Sequence, residues 1–248
     1  YTKEAGVRNI EREIGNISRK IATRITEDKD YPREITPVVV RELLGKPKYF
    51  ETEEIIRRTS HPGVAIGLAW TPVGGDILFI EATKMKGNKS FTITGSIGKV
   101  MQESAQIALS LVRSMAEDLK IDPEIFSSTE IHLHVPAGAQ PKDGPSAGIT
   151  MFSAMVSLFT NQLIKPDLAM TGEISLKGQV LPVGGVKEKV IAAHRSGIKT
   201  VILPKLNEID FEDIPEEVKK AIDFKFVDSV DEALKIIFEN KPKRTPKK

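Results

Sequence analysis

The chain contains no cysteine in 248 residues. Disulfides, thiolate metal sites and a cysteine nucleophile are therefore excluded, which fits a reducing compartment. An excess of one charge is also missing. Lysine and arginine number 36 and aspartate and glutamate 34, a balance that argues against a dedicated nucleic-acid or anionic-membrane protein. No apolar run approaches the length of a membrane span, and no signal peptide is visible. The chain opens at Tyr1 rather than Met and is helical in pattern within a few residues, so it is read as a piece of a longer protein. What is present is a hydrophobic fraction of 40%, ample for a sizeable core, in a length that suits one or two domains.

Val7, Ile10, Ile14, Ile17, Ile21 and Ile25 fall at steps of three and four, so residues 7–26 form one amphipathic helix. Pro32 closes that region. Thr36 as N-cap and Pro37 in the first turn start a second helix to Leu44, which Gly45 and Pro47 end. Two such helices bury little alone and read as the tail of a helical domain. Residues 46–60 are charged and read as a linker. Beyond His61-Pro62-Gly63, strands are expected at Val64–Ala69, Ile77–Glu81, Phe91–Thr94 and Ile131–Val135. Between the last two, Val100 to Leu119 carries a helical stripe. An apolar helix follows Ser146 to about Phe159. A hairpin is expected about Lys177-Gly178, then a helix over Lys187–Ser196 ended by Gly197. Strands at Val201–Leu203 and Phe224–Val227 precede a last helix capped by Asp228 or Ser229. This mixture gives an α/β or α+β domain over 61–240. The basic tail, 241–248, is expected to be disordered.

Pro141-Lys142-Asp143-Gly144-Pro145-Ser146-Ala147-Gly148 is the stretch that can carry chemistry. Gly144 permits a tight backbone path, and Pro145 suits a first helical turn. Ser146 then lies at or near a helix N-terminus, where unpaired amides and the dipole favour an anion. Acyl transfer needs that pairing of a nucleophile with oxyanion donors. By itself a Gly-Pro-Ser is more simply a capping serine. A serine hydroxyl also needs a base. His132 and His134 share one strand face and offer a Ser–His pair. The alternative is a lysine of depressed pKa. Lys189 lies on or near the helix face that carries Val186, Val190 and Ala193, so it is either buried as a neutral amine or snorkels to water. Both readings stand on helical geometry alone.

The residues at this point resemble a known family. Pro141–Gly148 looks like the nucleophile motif of bacterial-type Lon proteases. Met170-Thr171-Gly172-Glu173-Ile174 and Leu181-Pro182-Val183-Gly184-Gly185-Val186-Lys187-Glu188-Lys189 resemble its two later motifs, in order, with Ser146 and Lys189 at the family's separation. Gly67–Thr71, Gly74-Gly75-Asp76, Met101–Ser104 and His132–Val135 match as well. Tyr1–Arg8 looks like the end of the AAA+ small domain, with Arg8 at the sensor-2 position.

The resemblance implies an α/β fold like domain 2 of ribosomal protein S5, preceded at 1–45 by a remnant of the AAA+ helical domain. It implies a serine endopeptidase with Ser146 as nucleophile and Lys189 as general base. Thr171 would orient the amine, and Asp143 would set the conformation and charge of its loop. His132 and His134 would be supporting residues. The amides of Gly144, Ser146 and Ala147 would hold the oxyanion. No cofactor is implied for this stretch, whereas the whole protein would use ATP and Mg2+. It would work as a homohexamer on unfolded, damaged or tagged proteins, in bacterial cytoplasm rather than the mitochondrial matrix. The family often has a carboxylate after His-Val-Pro, and this chain has Ala137.

Other constellations are weaker. His132 and His134 lack further ligands at a metal spacing. Gly45-Lys46 is not a phosphate loop. Trp70 reads as core rather than cleft lining. DNA binding, for which the family is known, has only the basic tail behind it. A catalytically silent assembly or DNA-interaction module is the alternative function.

Overall fold

The structure, a computed structural model, describes residues 1–2, 7–46, 51–72, 74–136 and 141–238. The chain divides into two compact units, Tyr1–Glu54 with Pro72–Gly74, and Ile55–Thr71 with Gly75–Lys248. The calls on the tail at 241–248 and on Ala137 fall outside the described residues.

In the first unit, helices α1 (Arg8–Thr26) and α2 (Pro37–Leu44) lie where the apolar spacing and the Thr-Pro signal put them. Thr36 Oγ1 accepts the Val39 amide at 3.4 Å, and Gly45 closes α2 at φ +83°. The two helices are joined by Lys20 Nζ on the Leu43 carbonyl at 2.6 Å and by an Arg24–Glu42 ion pair at 2.7 Å. No residue of α1 is buried. Along its stripe Ile17 and Ile21 are half-buried, whereas Val7, Ile10, Ile14 and Ile25 stay exposed.

The stretch expected as a linker holds α3 (Glu51–Arg58). Ile55 and Thr59, one turn apart, are both buried, and that anchoring overrides the charged composition.

The second unit continues with β1 (Val64–Thr71), β2 (Gly74–Lys86), β3 (Ser90–Thr94), α4 (Lys99–Ser114), α5 (Ile125–Ser128), β4 (Thr129–His134) and α6 (Gly148–Thr160). After these come β5 (Leu168–Met170), β6 (Glu173–Ile174), β7 (Val180–Leu181), α7 (Val186–Arg195) and β8 (Thr200–Pro204). A 3-10 segment (Lys205–Asp213), α8 (Glu216–Ala221), β9 (Asp223–Val227) and α9 (Val230–Phe238) complete it. Ser229 caps α9 by accepting the Glu232 amide.

One seven-stranded sheet runs β3-β4-β2-β1-β5-β8-β9, and β6 and β7 form a separate hairpin. From β1 to β9 the pairs β1–β5, β5–β8 and β8–β9 are parallel. β2 pairs antiparallel with β4, and β3 parallel with β4.

Period-two alternation feeds two cores on opposite faces. Ala65, Met170 and Ile202 join the core built with α4 and α6. Ile66, Ala169, Val201 and Leu203 join the core that includes Val186, Val190 and Ala193 of α7. Helix α6 is buried almost throughout, so its sequence is apolar all round.

Two expectations change. β5 was not among the expected strands, because a buried strand of three residues has no room to show a period. Trp70, expected in the core, is 56% exposed. It stands near the end of β1, where the burial pattern runs out.

Adjacent positions of α6 should respond oppositely. Phe152 is fully buried, and Phe152→Ala should cost about 3–5 kcal/mol in denaturant unfolding. Among the described residues the buried Ser153 Oγ has no hydrogen-bond partner, so Ser153→Ala should be neutral or stabilising by about 1 kcal/mol. Equal losses for the two would contradict this packing.

Candidate active site

The nucleophile loop is strapped to the segment that enters α4. The Gly98 amide donates to the Lys142 carbonyl at 2.7 Å, and the Lys142 amide to the Ser96 carbonyl at 3.0 Å. Asp143 Oδ1 accepts the amides of Met101 and Gly144, both at 2.9 Å. Its carboxylate thus sits at the positive end of α4. A Cβ on Gly98 would meet that carboxyl group at 2.3 Å, so only glycine leaves room there.

Beyond this strap Gly144 turns the chain at φ +126°. Ser146 lies two residues before the first residue of α6, and Ala147 is the N-cap. The Ser146 carbonyl accepts the Gly172 amide at 2.8 Å and the Thr171 hydroxyl at 3.2 Å. Gly148 lets α6 approach β6 closely, since a Cβ there would lie 3.1 Å from the Ile174 amide nitrogen.

Thr171 follows the carboxyl end of β5, the end of a parallel strand where open α/β sheets place their sites. Its amide donates to the Ile202 carbonyl at 3.1 Å, and its side chain is fully buried.

Lys189 comes from α7 and is 2% exposed. Its Nζ donates to Thr171 Oγ1 at 3.2 Å. Thr171 therefore accepts from the amine while donating to Ser146. Burial disfavours the ammonium and pushes the Lys189 pKa down to about 8. Among the described residues no hydrogen bond joins Ser146 Oγ to Lys189 Nζ. Catalytic hydrogen bonds are often loose without substrate.

The turn carrying Lys189 packs hard on β2. A Cβ at Gly75 would lie 2.0 Å from the Glu188 carbonyl oxygen. Gly75 and Gly172 are the site-building residues that side-chain chemistry does not reveal. Their signal in the sequence is their place within Gly74-Gly75-Asp76 and Met170–Ile174, stretches that resemble the family.

Among the predicted oxyanion donors, Gly144 is occupied, because its amide bonds Asp143. The amides of Ser146 and Ala147 donate to no acceptor among the described residues. His132 and His134 are not brought to Lys189. Their Nε2 and Nδ1 atoms lie 2.8 and 2.7 Å from Thr94 Oγ1, on the outer face of β4. Arg8 opens α1 and is exposed.

Comparisons with known proteins decide the family. Residues 34–240 match the model of the Lon protease (S16) C-terminal proteolytic domain, and residues 1–33 that of the Lon protease AAA+ ATPase lid domain. The chain belongs to the Lon protease family. It is 53% identical over 239 residues to a Lon protease of Methylocella silvestris, covering 96% of this chain and 29% of that protein. A Lon protease of Chloroflexus aurantiacus is 55% identical over 241 residues, covering 95% and 29%. One of Aquifex aeolicus is 53% identical over 244 residues, covering 98% and 30%. The chain thus spans under a third of the length of these Lon relatives. Among the described residues no helix is long and apolar enough to cross a membrane.

The Lon site makes a direct demand on one amine. Titration of Lys189, followed by NMR of its side chain, should show a midpoint of about 8, with the ammonium below it and the neutral amine above. A midpoint near the ordinary lysine value of about 10.4 would show the amine to be hydrated.

Proposed function

We propose that this chain is a serine endopeptidase with a Ser146–Lys189 dyad, the proteolytic part of an ATP-dependent protease. The observation that carries the reading is the buried Lys189 amine on Thr171, whose hydroxyl also holds the main chain of Ser146. Neutral Lys189 takes the Ser146 proton, and Oγ attacks the peptide carbonyl carbon. The amides of Ser146 and Ala147 stabilise the resulting oxyanion. The Lys189 ammonium then protonates the leaving amine. Water, activated by the same amine, hydrolyses the acyl ester and restores the serine.

Substrates on this reading are unfolded or damaged proteins. The longer protein binds ATP and Mg2+ outside this chain and assembles as a homohexamer whose chamber hides the sites. Low specificity is tolerable in such a chamber.

Hydrolysis of a fluorogenic peptide tests the dyad. Ser146→Ala and Lys189→Ala should each lower kcat by at least about a thousandfold. Unchanged hydrolysis in either would end the model. A peptide boronate should add to Ser146. Failure to label it would favour a silent module.

The pH profile has a worked sign. The base must be neutral, so kcat/KM should rise about tenfold per pH unit below a midpoint of about 8 and level off above it. A flat profile from pH 6 to 9 would exclude a lysine base of this kind.

Thr171→Val removes the hydroxyl at nearly constant volume. With a lost partner costing about 1–3 kcal/mol, hydrolysis should fall about fivefold to 150-fold, and Thr171→Ser should restore most of it.

A further inference from the structure

The 3-10 segment after β8 inverts the usual rule of burial. Leu206 and Ile209 are 66% and 79% exposed, while the one buried residue of Lys205–Asp213 is a polar one, Asn207. A buried amide must be hydrogen-bonded or it destabilises the fold, and this one makes three hydrogen bonds, with both Nδ2 hydrogens and the Oδ1 oxygen engaged.

Asn207 Oδ1 accepts the Val183 amide at 2.9 Å, and Nδ2 donates to the Val183 carbonyl at 2.9 Å. The second Nδ2 hydrogen goes to Asp210 Oδ2 at 2.6 Å. These contacts leave one orientation of the amide. Asn207 thereby grips both main-chain polar groups of a single residue, as a neighbouring strand would.

Val183 is followed by Gly184 and Gly185, which join it to α7. Gly185 is in the left-handed region at φ +68°. A Cβ on Gly185 would meet Trp70 Cδ1 at 2.9 Å, whereas nothing lies within 4 Å of one on Gly184. Paired glycines have the widest backbone freedom of any joint. The Gly185 carbonyl accepts the Lys189 amide at 3.1 Å, in the first turn of α7. Lys189 is thus held on the far side of a joint with no side chains of its own. The joint is fixed at one end by Asn207 and at the other by the contact of α7 with Gly75.

We propose that Asn207 is a positioning residue for Lys189, clamping the Val183 peptide so that the glycine joint delivers the amine to Thr171. The proposal rests on the dyad reading and adds a residue that touches neither substrate nor either dyad member.

The rival is that Asn207 only stabilises a surface segment. Peptide hydrolysis and its pH profile separate the two. Asn207→Ala should lower kcat about tenfold or more and leave KM within about twofold. It should also move the midpoint of the rising limb upward, as the freed amine reaches water and the ammonium is favoured. Asn207→Asp, which sets a carboxylate oxygen against the Val183 carbonyl and Asp210, should be at least as severe.

A lowered melting temperature with unchanged kcat and unchanged midpoint would overturn the proposal. Should Asn207→Ala fail to fold, Asp210→Ala decides. It keeps both Val183 bonds but lets the amide swing, so a shift of a few-fold in kcat with the midpoint moving upward supports the clamp, and no shift overturns it. Ser146→Ala, measured alongside, keeps the two readings apart. Its inactivity with wild-type kinetics at position 207 sinks only the clamp, whereas its retained activity sinks the dyad.

Discussion

A lysine amine can take a proton near neutral pH only if water is kept from its charged form. Lys189 meets that condition by position. Helix α7 turns it inward beside Val186 and Val190, and among the described residues a single threonine hydroxyl is its side-chain hydrogen-bond partner. That hydroxyl accepts one hydrogen of the amine and brings no counter-charge. A carboxylate in its place would hold the ammonium and raise the pKa. Thr171 is suited to this role because a hydroxyl accepts and donates at once. The amine and the main chain of Ser146 are therefore tied to one atom, and an error in either reaches the other.

The rest of the unit holds that junction. Thr171 stands at the carboxyl end of β5, in the parallel part of the sheet, with its amide on the neighbouring β8. Helix α6 begins beside it through two backbone hydrogen bonds, the Gly172 amide donating to the Ser146 carbonyl and the Ile149 amide to the Gly172 carbonyl. Helix α7 closes from the opposite core. Close approach is made possible by missing side chains, at Gly148 against β6 and at Gly75 against Glu188. At Gly75 an added methyl group would require movement of the Glu188 backbone, so this contact fixes geometry more firmly than apolar packing, which can relax; at Gly148 the neighbours would have to give by a few tenths of an ångström.

Asp143 is engaged by the start of α4 and not by the amine. It is three residues from Ser146, and a carboxylate swung toward a buried ammonium would hold the charge in place. Here it caps α4, bonded to Met101 and Gly144 and admitted by the bare backbone of Gly98. The same cap occupies the Gly144 amide, while those of Ser146 and Ala147 donate to no acceptor among the described residues. Helix capping and the polarity of the site are therefore one arrangement.

The sequence alone determined what is local. Apolar spacing set α1, Thr36-Pro37 set the start of α2, and Gly197 marked the end of α7, because each depends on residues within a turn or two. Its motifs also pointed to the family that the comparisons show and, through the resemblance, to Ser146, Lys189 and Thr171 as candidate site residues. Tertiary structure decided what depends on distance through space. Lys189 was as free to snorkel as to be buried until Gly75 and the second core enclosed it. His132 and His134, plausible partners by strand face, were drawn to Thr94 instead by the pairing of β3 with β4. Trp70 lay outside the core, at the end of β1 where burial runs out, and β5 was too short to show a period. Asn207 gave no signal at all, since its partner is a backbone 24 residues away. A side chain's chemistry is written in its own residue, but its desolvation and its partners belong to whatever the fold brings alongside.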